Sequence, residues 1–111
     1  MKLIILLALV STVFSASIVL TIDAPDASIS GLAFESGSLW AVDRGTSNVY
    51  ELDPSNGSVQ SSFFFAYGLP SGMAISGNTL YILRSDASIN NGMVYKYSTA
   101  GSIQGSYDST C

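Results

Sequence analysis

The sequence predicts an all-β fold: two four-stranded antiparallel blades of a β-propeller, preceded by an N-terminal outer strand and forming an incomplete ring. Three observations predict it. First, one stretch is written twice. Gly31-Leu32-Ala33-Phe34 returns as Gly72-Met73-Ala74-Ile75, and Leu39-Trp40-Ala41-Val42 as Leu80-Tyr81-Ile82-Leu83. Val49-Tyr50-Glu51-Leu52 returns as Val94-Tyr95-Lys96-Tyr97, and Gly57-Ser58-Val59-Gln60 as Gly101-Ser102-Ile103-Gln104. The offset is 41 residues at the front, 45 at Val49 after an insertion near 85–91, and 44 at Gly57. A period of roughly 40–45 residues built of short strands belongs to propeller blades. Second, Leu39–Val42 and Leu80–Leu83 are apolar throughout. A strand alternates its side chains between two faces, so both faces of these strands must be covered. Third, turn residues punctuate the chain every few positions, and no window outside the first 16 residues has a helical period.

The elements follow in order. Lys2, the apolar run Leu3 to Phe14 and the small residues Ser15-Ala16-Ser17 describe a secretory signal peptide over 1–16, cleaved between Ser15 and Ser17. The run is too short to span a bilayer, which needs about 20 residues. The remainder, 17–111, reads as a partial propeller. Ser17–Ile22 is a β-branched strand standing 14 residues before Gly31, as Ser58 stands 14 before Gly72. It therefore takes the place of an outer strand. Blade 1 (about 29–65) has strands Gly31–Glu35, Leu39–Asp43, Asn48–Asp53 and Ser58–Phe65, with Gly37, Gly45 and Gly57 expected at positive φ in its turns. Blade 2 (about 70–107) has Gly72–Ser76, Leu80–Leu83, Met93–Ser98 and Ser102–Tyr107. The third strands alternate and the fourth is polar, so each blade dries toward its inner strands.

Two blades leave two flat apolar faces bare. Taking each as about 400 Å² at about 25 cal/mol per Å², exposure forfeits about 20 kcal/mol, more than the roughly 5–15 kcal/mol that holds a domain together. Two arrangements would cover these faces. The favoured one is a longer propeller of which these residues are a fragment. The other is a ring closed by several copies. In either, the N-terminal strand is placed to pair with the last blade.

Composition narrows the partners. The chain has 111 residues, 48% hydrophobic and 11% charged. Without Lys2, three basic residues (Arg44, Arg84, Lys96) face eight acidic ones, a net charge of −5. Nucleic acid and anionic membranes both require a positive patch, so neither is expected as a partner. The single cysteine, Cys111, forms no internal disulfide. Asn56-Gly57-Ser58 fits an N-glycosylation site and, preferably, a hairpin turn.

The run Gly31–Phe34, Leu39–Gly45, Asn48–Pro54 and Asn56-Gly57 resembles blades of the NHL-repeat and lactonase-like propeller group. Its relatives include streptogramin lyase-like, gluconolactonase-like and quinoprotein-like secreted propellers. The resemblance covers nearly all of 17–111 and implies the fold more strongly than a function. Lactonase members hold a metal in the central channel with carboxylates and Asn, and those ligands have no assigned positions here.

The chain has no histidine, which removes Ser-His-Asp and Cys-His catalysis. Propeller topology places Asp23, Asp26, Asp43, Arg44, Tyr67, Arg84 and Asp86 on one loop face, with Glu35 and the Asp53–Gly57 turn opposite. The candidate ligand-binding residues are Asp43, Arg44, Tyr67, Arg84 and Asp86. Arg44 and Arg84, near equivalent repeat positions, suit a carboxylate or a neighbouring Asp. Asp43 and Asp86 suit Ca²⁺, or, preferably, capping of their own turns, and no cofactor is expected. Trp40, Tyr50, Tyr81, Tyr95 and Tyr97 read as inter-blade core, whereas Tyr67 and Tyr107 are freer to bind. Phe63-Phe64-Phe65 is either covered by the next blade or a sticky edge.

The expected function is a secreted binding or interaction module for a protein or small polar ligand, with further blades or copies closing the ring. The alternatives are part of a lactonase- or lyase-like enzyme and a two-blade lectin-like unit that trimerises.

Overall fold

A computed structural model describes residues 17, 20–84 and 92–109. The expected signal peptide at 1–16, Asp86 and Cys111 lie outside the described residues. The described residues are all-β, with eight strands: β1 (Ile29–Glu35), β2 (Ser38–Asp43), β3 (Asn48–Leu52), β4 (Val59–Phe64), β5 (Pro70–Ser76), β6 (Thr79–Arg84), β7 (Gly92–Ser98) and β8 (Ile103–Ser109). They form two antiparallel four-stranded sheets, β1-β2-β3-β4 and β5-β6-β7-β8.

Local sequence explains the hairpins. Ser36 and Gly37 (φ 53° and 79°), like Gly77 and Asn78 (φ 57° and 63°), place two consecutive residues at positive φ. Such pairs match the right-handed twist of the strands they join. In the β2–β3 loop the positive φ falls on Ser47 (62°), not on Gly45 as expected. The Asn56-Gly57 segment is a tight turn in which Gly57 N–H donates to the Asp53 carbonyl at 2.7 Å.

Pairing register assigns the side chains to faces. In the first sheet Ala33, Trp40, Val42, Val49 and Phe63 share one face, and Leu32, Phe34, Leu39, Ala41 and Leu52 share the other. In the second, Met73, Ile75, Leu80, Ile82, Tyr95 and Tyr97 share one face, and Ala74, Tyr81, Leu83 and Val94 the other. The core joins the Trp40 face of the first sheet to the Leu80 face of the second. These are not equivalent faces. By the repeat, Trp40 corresponds to Tyr81, which lies on the outside of the second sheet, while Leu80 corresponds to Leu39, on the outside of the first. The sheets therefore stack head to tail, in one direction, as a two-fold sandwich would not.

The two sheets approach as a wedge. Their backbones come close only where β1 and β2 meet β5. A Cβ placed on Gly31 would lie 3.1 Å from Gly72 Cα and from Met73 N, so a side chain there would push backbone against backbone. Gly31→Val is expected to cost about 1–3 kcal/mol, measured by urea denaturation. Toward the outer strands the gap widens, and aromatic rings fill it. Phe63 stacks on Tyr97 with centroids 5.3 Å apart, and Phe65 meets Tyr95 edge-on at 5.3 Å. Of the Phe63–Phe65 run, Phe65 is fully buried whereas Phe64 is exposed. The Glu35 carboxylate accepts the Gly77 and Asn78 N–H groups at 2.9 Å each, tying one sheet to the first turn of the other.

The expected N-terminal strand is not formed by its described residues. Leu20–Ala24 is irregular and belongs to neither sheet. Ile22 to Ala24, with Pro25, stand over the outer face of the first sheet and close a cavity there with Leu39, Ala41 and Leu52.

Candidate functional site

Most of the residues expected at one loop face do share an end of the sheets. Asp43 closes β2 and is fully buried. Its Oδ1 accepts the N–H groups of Gly45 (2.7 Å) and Thr46 (3.1 Å), so the carboxylate caps its own turn. Its buried Oδ2 has no hydrogen-bond partner. Arg44 donates its backbone N–H to Ser28 O at 3.0 Å and is exposed. Asp26 Oδ1 accepts the Ser28 N–H, folding the 26–28 turn against this loop. Asp23 sits elsewhere: its carbonyl abuts Gly57 in the β3–β4 turn.

Tyr67 and Arg84 come together. Arg84 Nη1 donates to the Tyr67 carbonyl at 3.3 Å, and its Cδ lies against Gly68. Tyr67 stacks on Tyr95 at 4.5 Å with planes 14° apart. The guanidinium carbon stands 6.0 Å from the Tyr95 ring centroid, within reach of cation–π attraction. Burial pushes the Tyr97 phenol up from its ordinary value, the charges of Tyr67 and Tyr95 adding to the effect. Tyr67 keeps 40% of its surface exposed, and with Arg84 it makes a corner suited to a flat or anionic group. The register sharpens one correspondence. Ile29 pairs with Asp43 and Pro70 with Arg84, so Arg84 is the repeat partner of Asp43, not of Arg44.

Asp86 lies outside the described residues. Among the described residues, no group of three or more Cys, Asp or Glu side chains converges as a metal site would require. At the opposite end, Asp53 accepts hydrogen bonds from the Ser55 hydroxyl and N–H, at 2.6 and 2.8 Å. They hold its carboxyl below the usual value. The contribution of this turn is present above the ordinary carboxylate pKa and is lost as the pH falls through the lowered one.

Apolar side chains are also exposed on the outer sheet faces. On the first sheet Leu32 and Phe34 are 60% and 62% exposed. On the second, Ala74, Tyr81, Leu83, Val94 and Tyr107 line a shallow apolar hollow. Tyr50 and Tyr81, read from sequence as core, are half-buried on these outer faces, whereas Trp40, Tyr95 and Tyr97 are in the core. No protein-family model matches the chain, and no curated protein matches it.

Proposed function

We propose that the chain is a secreted interaction module built of two propeller-type blades of the kind its sequence resembles. It works by presenting flat apolar sheet faces, and the Tyr67–Arg84 corner, to a binding partner. The observation that carries this reading is the head-to-tail stacking of the sheets. A stack with one direction ends in two different faces, and each end keeps exposed apolar side chains, Leu32 and Phe34 on the first sheet and Leu83 and Tyr107 on the second. Exposed apolar surface on this scale marks a place where another macromolecule docks. The absence of histidine fits binding better than acyl-transfer chemistry.

The test starts from protein recovered from the medium of a secreting host. Its mass should place the N-terminus between Ser15 and Ser17. At dilutions where single chains predominate, it should bind a hydrophobic fluorescent dye, and Phe34→Glu together with Leu83→Glu should abolish most of that signal. Protein retained in the cell sinks the secreted reading. A folded wild type that leaves the dye dark sinks the interaction module.

A further inference from the structure

Resting on that reading, we infer that the partner of each outer face is a second copy of this chain. The copies dock head to tail, the outer face of the second sheet of one against the outer face of the first sheet of the next. The buried interface within the chain is the template for this contact. There, Trp40, Val42, Val49 and Phe63 press on Met73, Ile75, Leu80, Ile82 and Tyr97. The repeat carries the same chemistry to the free ends. Tyr81, Leu83, Val94 and Tyr107 stand where Trp40, Val42, Val49 and Phe63 stand. Leu32, Phe34, Leu39, Ala41 and Leu52 stand where Met73, Ile75, Leu80, Ile82 and Tyr97 stand. Each free face thus matches one side of an interface the chain already makes with itself. A heterologous contact of this kind closes when its rotation permits, and two to four copies would bring the sheets to the roughly 4–8 of a propeller.

The N-terminal segment gives a second, independent sign that the first face is built to receive a neighbour. A Cβ on Gly101 would lie 2.9 Å from Phe63 Cβ, and a Cβ on Gly57 would lie 3.2 Å from Ile22 Cβ. Gly57 and Gly101 are repeat partners, and so are Ile22 and Phe63. Residues 22–25 therefore lie on the first sheet as the end of β4 and the chain after it lie on the second. They fit it worse: Ile22 and Ala24 replace Phe63 and Phe65, and a cavity of about 140 Å³ remains beneath, lined by Leu32, Leu39, Ala41 and Leu52. In the assembly, Tyr107 of the neighbour takes the place of Ile22. The segment is a strap that competes with association.

The test is a mixing experiment read by sedimentation velocity. Wild-type protein should form a closed assembly of two to four chains. Leu83→Glu blocks one end and Phe34→Glu the other. Both positions are exposed, at 37% and 62%, so each variant should fold, as thermal denaturation will show, and remain a single chain. Mixed, the two should give a one-to-one heterodimer through the ends left intact. Ile22→Gly, which loosens the strap, should associate at lower concentration than wild type. Ser76→Glu should tighten the contact about tenfold, because Ser76 is the repeat partner of Glu35 and its carboxylate would meet the Ser36–Gly37 turn of the next copy. Single chains throughout, in wild type and Ile22→Gly alike, overturn the proposal. So does an association that the mixture fails to restore, which would mean that like faces pair. Dye binding without self-association overturns the second copy as partner while leaving the interaction module standing. Loss of both fells the two readings together.

Discussion

Replacing Trp40 with alanine should cost about 3–5 kcal/mol in chemical denaturation. The indole is 2% exposed and lies between the sheets beside Val42 and Val49. Its removal forfeits the burial of the largest apolar side chain in the core and leaves a cavity that β-sheet backbone cannot collapse to fill. The repeat supplies an internal control. Tyr81 occupies the same strand position in the second sheet but faces outward and is only half-buried. In a single chain Tyr81→Ala should therefore cost less than about 1 kcal/mol, as surface substitutions do. At concentrations where chains assemble, the two substitutions should converge, because assembly would bury Tyr81 as folding buries Trp40. A Trp40→Ala loss below about 1 kcal/mol would mean that the inside and outside of the sheets are reversed.

The strands were legible because the signals that define them are local. Apolar runs such as Leu39–Val42, turn pairs such as Gly77-Asn78, and the written repeat place all eight strands within about two residues of where they lie. The repeat also carried the direction of stacking, though only pairing register exposed it. Trp40 and Tyr81 look alike in sequence, and what separates them is which neighbour exists to cover each. The two arginines lie near equivalent repeat positions, as the sequence indicates, and pairing register adds that they are one position apart. The N-terminal segment has the composition of a strand, but a strand requires a ladder partner, and composition says nothing about whether an edge lies alongside. The loop-end site was half legible. Turn-capping by Asp43 follows from its place before Gly45-Thr46. The closeness of Tyr67 to Arg84 depends on the path of the chain between the sheets, which no local pattern encodes.

Phe65 is the residue whose importance depends most on that path, and Phe65→Ala should also cost about 3–5 kcal/mol. It sits just past the end of β4, in the chain crossing from one sheet to the other, yet it is fully buried. Its N–H donates to the Ser47 carbonyl at 2.8 Å, fixing the backbone so that the ring enters the wide side of the wedge. There it touches Tyr95, Tyr97 and Tyr67, with centroids 5.3 to 5.9 Å away. Phe65→Leu should cost less, since a smaller apolar group still fills part of the space. The ionisation of Tyr97 offers a reading that separates lost packing from general unfolding. Burial raises the Tyr97 phenol above its ordinary value of 10.0. The fold thus favours the neutral ring, and that contribution is fully present below 10.0 and lost as the pH rises through the raised value. Without Phe65, water reaches the ring and the phenol returns toward its ordinary value. Nuclear magnetic resonance titration of the Tyr97 ring should show its midpoint falling in Phe65→Ala, with the alkaline loss of stability becoming shallower. An unchanged midpoint alongside a large loss of stability would place Phe65 outside the packing that shields Tyr97. It would then be a linker residue holding the crossing by its backbone alone, and the wedge would be filled by Phe63 and Trp40 without it.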